Sequence, residues 1–304
     1  MNKIEFLRNH LNVWWLRPES ALWDAIASTV ISGHKIVAPS ADLGCGNGIF
    51  SFITAGGKFS LDYDWFRNVD FSKEDMYDVS KKINVSQHIE RAAKYKFDWG
   101  IDVKSNLLDQ AKGLNFYKNL KLHDISYPLP FEDESLNTVF SNIIYWLRAP
   151  EKALKEIYRA LNPGGKALLC IPSEKFYDFC PSYKWKNYRS KLHKNLMKAV
   201  NLERDRCILH AFTATQFSEM ARRAGFTVVD CRPYLSPLTL KVWDVGLRPL
   251  SRPLIKMANK LSPKNRREIK DEWIDTCMKY LALLYQMEFE YRGKCGFYLF
   301  ALRK

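Results

Sequence analysis

The stretch ADLGCGNGIF, residues 41–50, sets Gly44, Gly46 and Gly48 at alternate positions just after an acid, Asp42. Glycines so placed let backbone approach a ligand closely and accept a positive φ that a Cβ would disfavour. IVAPSADL (36–43) ahead of them reads as a short buried strand, and IFSFITAG behind them as the first turns of a helix. Strand, glycine turn, helix is the order that a phosphate or nucleoside site requires. The G-x-G-x-G spacing is not the dinucleotide G-x-G-x-x-G, and no Lys-Ser or Lys-Thr follows it, which excludes a P-loop.

Polar residues at further predicted strand ends extend this cluster. YKFDWGIDV (95–103) alternates Phe97, Trp99 and Ile101 on one face and closes on Asp102. NLKLHDIS (119–126) closes on Asp124, and LNTVFSN (136–142) on Ser141 and Asn142. Between them PEKALKEIYRAL (150–161) stacks Leu154, Ile157, Tyr158 and Leu161 on one helical face, with Pro150 and Gly164 as boundaries. KALLCIP (166–172) is a buried strand; TATQFSEMARRAGF (213–226) opens with Thr213 and Gln216 in capping-box spacing, and TVVDCRPY and GFYLFALRK are the last strands. Alternating strands and helices predict an α/β fold with a doubly wound, mainly parallel sheet, whose ligands sit at the carboxyl ends of the strands. An acidic rim there repels a pyrophosphate but suits a ribose and a cationic amino or sulfonium group.

These runs, ADLGCGNGIF, GIDV, LHDISYPLPFEDESLNTVFSNIIYWL and ALNPGGKALLCIPSE, resemble the class I S-adenosylmethionine-dependent methyltransferases, especially the type 11-like subfamily with a D-x-G-C-G-x-G first motif. The likeness spans residues 36–172 and, more loosely, 205–234. It implies a Rossmann-like, seven-stranded methyltransferase fold and S-adenosylmethionine as cofactor, with no metal. It also implies that Asp42, Gly44, Cys45, Gly46 and Asn47 surround the methionine part of the cofactor and that Asp102, with Val103, holds the ribose. Asp124 and Ile125 then frame the adenine, and Ser141 and Asn142 lie below the transfer site. Asp98, earlier on the same strand as Asp102, is the competing ribose acid. The long segment between Asp42 and Asp102 departs from the roughly 20-residue spacing usual in such folds.

That segment contains an insertion, residues 57–94, rich in aromatics and acids, expected as an aromatic lid. Residues 1–35 are expected to form a helical cap, and 36–234 with 291–304 the cofactor-binding domain. Residues 235–290 form a second, basic and helical insertion; 232–270 alone carry ten Lys or Arg against Asp244 and Glu268. Trp14, Trp15 and Arg17 either close over the cofactor or pack in the core. Tyr145, in NIIYWL, is a candidate substrate contact, and His123 and His210 are candidate general bases. Cys45 reads as a small residue filling a tight turn rather than a nucleophile.

The net charge of +14 points to an anionic partner without choosing one. The expected acceptor is a hydroxyl or carbon of a small or lipid-like metabolite, such as a glycolipid, sugar or polyketide, with an anionic membrane surface as a further partner. Open alternatives are RNA methylation, with the basic insertion holding phosphates, and cofactor binding without catalysis. Absence of a D/N-P-P-Y motif disfavours transfer to base or glutamine amino groups. Seven cysteines without CxxC spacing fit neither a disulfide framework nor a zinc site, and the expected compartment is the cytoplasm, with peripheral contact at the inner membrane face.

Overall fold

The computed structural model describes residues 3–67, 84–184 and 208–304. Its strands are β1 (Ser40–Leu43), β2 (Lys58–Phe59), β3 (Ile89–Arg91), β4 (Phe97–Asp102), β5 (Tyr117–Leu122), β6 (Leu136–Ser141), β7 (Leu161–Pro172), β8 (Thr227–Tyr234) and β9 (Phe297–Arg303). The described α-helices are α1 (Lys3–Val13), α2 (Pro18–Ile31), α3 (Ile49–Thr54), α4 (Ser105–Lys112), α5 (Pro150–Ala160), α6 (Phe176–Phe179), α7 (Pro181–Lys184), α8 (Ala214–Arg223), α9 (Pro237–Lys241), α10 (Ser251–Ala258) and α11 (Pro263–Glu290).

Seven strands form one sheet in the order β5-β4-β1-β6-β7-β9-β8, and β2 pairs with β3 as a separate ribbon. All neighbours in the large sheet are parallel except β9, which runs antiparallel to both β7 and β8. The chain order reverses beside β1, so the sheet is doubly wound about that strand. All seven are the strands that hydrophobic runs predict. The carboxyl ends of β1, β4, β5, β6, β7 and β8 therefore share one edge with the amino end of β9, the edge on which such folds bind ligands.

The period-two alternation of the strands divides the interior into two cores. Phe140, Leu168, Cys170, Leu299 and Ala301 face one, where α1, α2, α3 and α11 supply Leu11, Ala25, Ile53 and Leu281. Val139, Ala167, Leu169, Phe300 and Leu302 face the other, covered by Leu154 and Ile157 of α5 and by Phe217 and Ala221 of α8. Thr213 and Gln216 form both halves of the expected capping box at the start of α8. In two places the elements differ from expectation. β5 begins at Tyr117 and ends at Leu122, which leaves Asp124 two residues beyond it in a turn. α5 stops at Ala160 because Leu161 already pairs with Leu136, so Gly164, at φ +78°, serves the following turn rather than the helix end.

Within the 57–94 insertion, the run 59–66 is core rather than lid. Phe59, Tyr63, Trp65 and Phe66 are buried, stacked on one another and on Trp14 of the α1–α2 turn. Trp15 is buried beside them and donates its indole N–H to Asp64 at 3.0 Å, which decides the two upstream tryptophans for packing. α10 ends at Ala258; Ile255 and Ala258 are its buried apolar positions, Leu254 is half-buried, and Lys256 and Met257 are exposed. Among the described residues, no helix is long and apolar enough to cross a membrane.

Candidate active site

The glycine turn is fixed to the end of β4. Gly44 N–H and Cys45 N–H both donate to the carbonyl of Ile101, at 2.8 and 2.9 Å, and Gly46 N–H donates to Asp102 Oδ2 at 2.9 Å. Asp102 Oδ1 accepts the Lys104 N–H at 2.9 Å, so the last residue of β4 ties the turn to the start of α4. Gly44, Gly46 and Gly48 all have positive φ, at +77°, +55° and +74°. Their surroundings differ. A Cβ at Gly44 would lie 2.3 Å from Ile143 Cγ1, and one at Gly48 2.7 Å from Tyr117 Cε2, so these two glycines are required by packing. A Cβ at Gly46 would meet nothing nearer than Leu107 Cδ1 at 4.0 Å, so Gly46 faces the open side of the turn.

This contrast yields a prediction. Gly44→Ala combines left-handed backbone with overpacking and should lower stability by roughly 2–4 kcal/mol in thermal unfolding. Gly46→Ala carries only the backbone term, roughly 1 kcal/mol. Equal unfolding temperatures for the two variants would contradict the packing account.

Of the two candidate acids on β4, Asp98 is engaged at the amino end. It accepts from Ser40 N–H at 2.8 Å and from Lys118 Nζ at 2.7 Å, and these donors hold its carboxyl below the usual range against the opposing effect of burial. Asp102 alone stands on the ligand edge, with exposed Val103 beside it.

Asp42 lies under the turn rather than in its wall. It is 1% exposed, and its Oδ2 accepts both Ser51 Oγ at 2.6 Å and Tyr117 OH at 2.7 Å, joining β1 to α3 and β5. Burial raises its pKa to about 6 against those two hydrogen bonds. Ser141 is likewise drawn inward: it is fully buried, with Oγ donating to the Leu43 carbonyl at 2.9 Å. Asn47 and Asn142 stay half-exposed at the rim; Asn47 Oδ1 caps the Ile49 N–H at 3.2 Å. Asp124 is exposed and accepts the Ser126 N–H at 2.8 Å, while its neighbour Ile125 is buried. The Cys45 thiol is pushed far up by burial and by the nearby carboxylates, so it is no nucleophile.

The three catalytic candidates separate. His123 follows β5 and its Nε2 lies 3.0 Å from the Pro128 carbonyl. Tyr145 follows β6, three strand positions away, roughly 14 Å at ordinary strand spacing. His210, in contrast, is brought to Tyr145, its backbone N–H 3.3 Å from the Tyr145 carbonyl.

Tyr145 also belongs to a group that sequence reasoning missed. Phe297, the first residue of β9, is ringed by Trp23 at 5.0 Å, Phe176 at 5.6 Å, and Tyr145 and Tyr234 at 5.7 Å. Trp243 of the basic insertion packs on Trp23 at 4.7 Å. Trp23, Tyr145 and Trp243 are half-buried while Phe176, Tyr234 and Phe297 are buried. An aromatic wall thus rises from α2, α6, β8, β9 and the segment after β6, on the same edge as the glycine turn. Beside it on α2 stands Asp24, a lone acid in the apolar run ALWDAIASTVI, which was the signal available in the sequence.

Residues 85–169 match the methyltransferase domain family model, and that segment contains β4, Asp102, β5, β6 and most of β7. The chain carries a methyltransferase domain on a class I, Rossmann-like fold. The methyltransferase is similar in structure to a SAM-dependent methyltransferase from Thermotoga maritima, at 14% identity and TM-score 0.49, covering 96% of this chain and 93% of that one. It is also similar to an S-adenosylmethionine-dependent methyltransferase from Mesorhizobium loti, at 13% identity and TM-score 0.46, covering 93% and 97%. The [4+2]-cyclase SpnF is similar too, at 15% identity and TM-score 0.48, covering 96% and 82%. None of the curated proteins matches the chain. S-adenosylmethionine fits the methyltransferase's turn: Gly46 leaves the space a Cβ would fill, and an acid and an exposed apolar side chain, Asp102 and Val103, stand next to it.

Proposed function

We propose that this methyltransferase transfers a methyl group to a hydroxyl of a small, largely apolar metabolite held against the aromatic wall around Phe297. The observation that carries the reading is that wall: half-buried Trp23, Tyr145 and Trp243 share the ligand edge with the glycine turn. Aromatic faces gain most from an apolar, planar partner, and an acceptor of this kind brings enough buried area to be aligned.

When bound, S-adenosylmethionine supplies an activated methyl on a sulfonium. Gly44, Gly46 and Asn47 offer backbone and amide groups to its amino-acid end, Asp102 accepts from the ribose hydroxyls, and Val103 with Ile125 bounds the adenine. Asp42 and Ser141 act from beneath, fixing the turn through Ser51, Tyr117 and the Leu43 carbonyl. Asn142 and Tyr145 follow β6, where acceptor and cofactor meet. In-line displacement asks the protein mainly for alignment and exclusion of water, and a wall of rings supplies both.

The test is incubation of the purified chain with methyl-labelled S-adenosylmethionine and a host lysate, followed by division of the label among organic-extractable, small aqueous, nucleic-acid and protein fractions. Label in an organic-extractable, alkali-stable product is expected. Label in nucleic acid would favour the second reading, in which the exposed basic residues of 232–270 hold phosphates, and would overturn the first.

A further inference from the structure

Asp24 combines features that rarely meet in one side chain. It lies on α2, a helix buried along most of its length, where burial raises its pKa to about 7. Even so, a quarter of its side-chain surface, 25%, remains accessible. That exposure leaves the carboxyl open to solvent on one side. Its neighbours flank it. Trp14 and Arg17 of the α1–α2 turn are close enough to lower its pKa, and Tyr234 at the end of β8 feels its charge. His10 of α1 places Nδ1 3.9 Å from Asp24 Oδ2, and that nitrogen is buried without a hydrogen-bond partner. The other face of His10 lies 6.0 Å from Phe50, two residues past the last glycine of the turn. The residue before Asp24 is Trp23, on the aromatic wall. Asp24 therefore stands between the glycine turn and the proposed acceptor wall.

We infer that Asp24 is the proton acceptor for the hydroxyl that this enzyme methylates. The inference rests on the hydroxyl reading above. As the carbon–sulfur bond of the sulfonium breaks and the carbon–oxygen bond forms, the hydroxyl proton passes to the Asp24 carboxylate, leaving a neutral thioether and a neutral ether. Asp24 then releases the proton to solvent through its exposed side.

The neighbouring groups do not compete for that role. Burial lowers His10 to about 3, so it is neutral in the working range, and Tyr234 is raised well above its ordinary value. Trp14 does not titrate. Asp42, at about 6, titrates beneath the glycine turn and not beside Asp24. A base must be ionised to act, so turnover should rise with pH through about 7 and level off above it.

The experiment has two arms, both on the full chain. In the first, 1-naphthol, an aromatic alcohol, is titrated into the S-adenosylhomocysteine-loaded protein at pH 6 and pH 8, with the carbon-13 signal of the Asp24 carboxyl followed by NMR. The wild type should bind naphthol several-fold tighter at the higher pH and shift the Asp24 signal; Asp24→Asn should bind with no pH dependence. In the second, the labelled-cofactor lysate assay is repeated with Asp24→Asn and Asp24→Glu. Asp24→Asn should lose a hundredfold or more of the organic-extractable label with cofactor affinity unchanged, and Asp24→Glu should recover part of it. Equal labelling by wild type and Asp24→Asn overturns the role of Asp24 while leaving the acceptor reading standing. Label confined to nucleic acid, or a wild type that ignores naphthol, overturns the inference together with the reading it rests on.

Discussion

Replacing Asp102 by Ala should weaken S-adenosylhomocysteine binding a hundredfold or more in isothermal titration, with Asp102→Asn losing about tenfold. Each carboxylate oxygen already accepts one backbone N–H, from Gly46 and from Lys104, both at 2.9 Å. An ionised oxygen has a second lone pair to offer, which is what a vicinal ribose diol needs. Charge-assisted bonds contribute about 1.5–3 kcal/mol each, and two of them exceed the roughly 2.8 kcal/mol that a hundredfold represents. Alanine also frees the Gly46 N–H and loosens the turn, whereas asparagine keeps one acceptor and the shape. The order Ala worse than Asn, with thermal unfolding only modestly changed, is therefore the signature expected. Asp98→Ala serves as the contrast. Its partners are Ser40 and Lys118, so it should cost stability and leave affinity alone. Unchanged binding in Asp102→Ala would remove the ribose from the end of β4 and with it the register on which the cradle is argued.

The two acids on β4 also show what the sequence could and could not convey. Alternation of Phe97, Trp99 and Ile101 located the strand but not its direction relative to a ligand; only pairing with β1 and β5 puts Asp98 at one end and Asp102 at the other. The glycines were legible because positive φ is a local demand. Asp42 and Ser141 were legible as positions but not as roles, since nothing in the motif says that Ser51 and Tyr117 turn Asp42 downward, or that the Leu43 carbonyl turns Ser141 inward. Trp23, Asp24 and Phe297 were missed for a related reason. They are separated by more than 270 positions in the chain, and they meet only because β9 inserts antiparallel between β7 and β8, carrying its first residue to the ligand edge. The aromatic run 59–66 was misjudged because its partners, Trp14, Trp15 and α11, are equally remote.

That last contact carries a large expected effect on stability. α11 sets Arg266, Lys270, Ile274, Cys277, Leu281, Tyr285 and Glu288 on one buried stripe, so two cations sit where apolar residues would be the rule. Each has a use. Arg266 pairs with Asp64 and lies over the Trp15 ring at 5.2 Å. Lys270 Nζ donates to the carbonyls of Leu61 at 2.8 Å and Tyr63 at 2.6 Å, and Trp273 donates to the Trp15 carbonyl at 2.7 Å. One helix thereby satisfies the backbone of both the α1–α2 turn and the insertion. Lys270→Met keeps most of the volume and removes the donor, leaving two buried carbonyls unpaired, and should lower stability by roughly 2–4 kcal/mol in denaturant unfolding. The pH dependence separates this from a simple packing loss. Burial lowers Lys270 from 10.5 to about 7, so between those values the unfolded chain holds a proton that the folded one does not. Stability must then rise with pH above about 7 and fall away as pH drops through it. The wild type should gain stability from pH 7 toward pH 9, and Lys270→Met should not share that gain. A parallel rise in both proteins would mean that Lys270 stays charged when folded, held by Asp62 and Asp64 rather than by the two carbonyls.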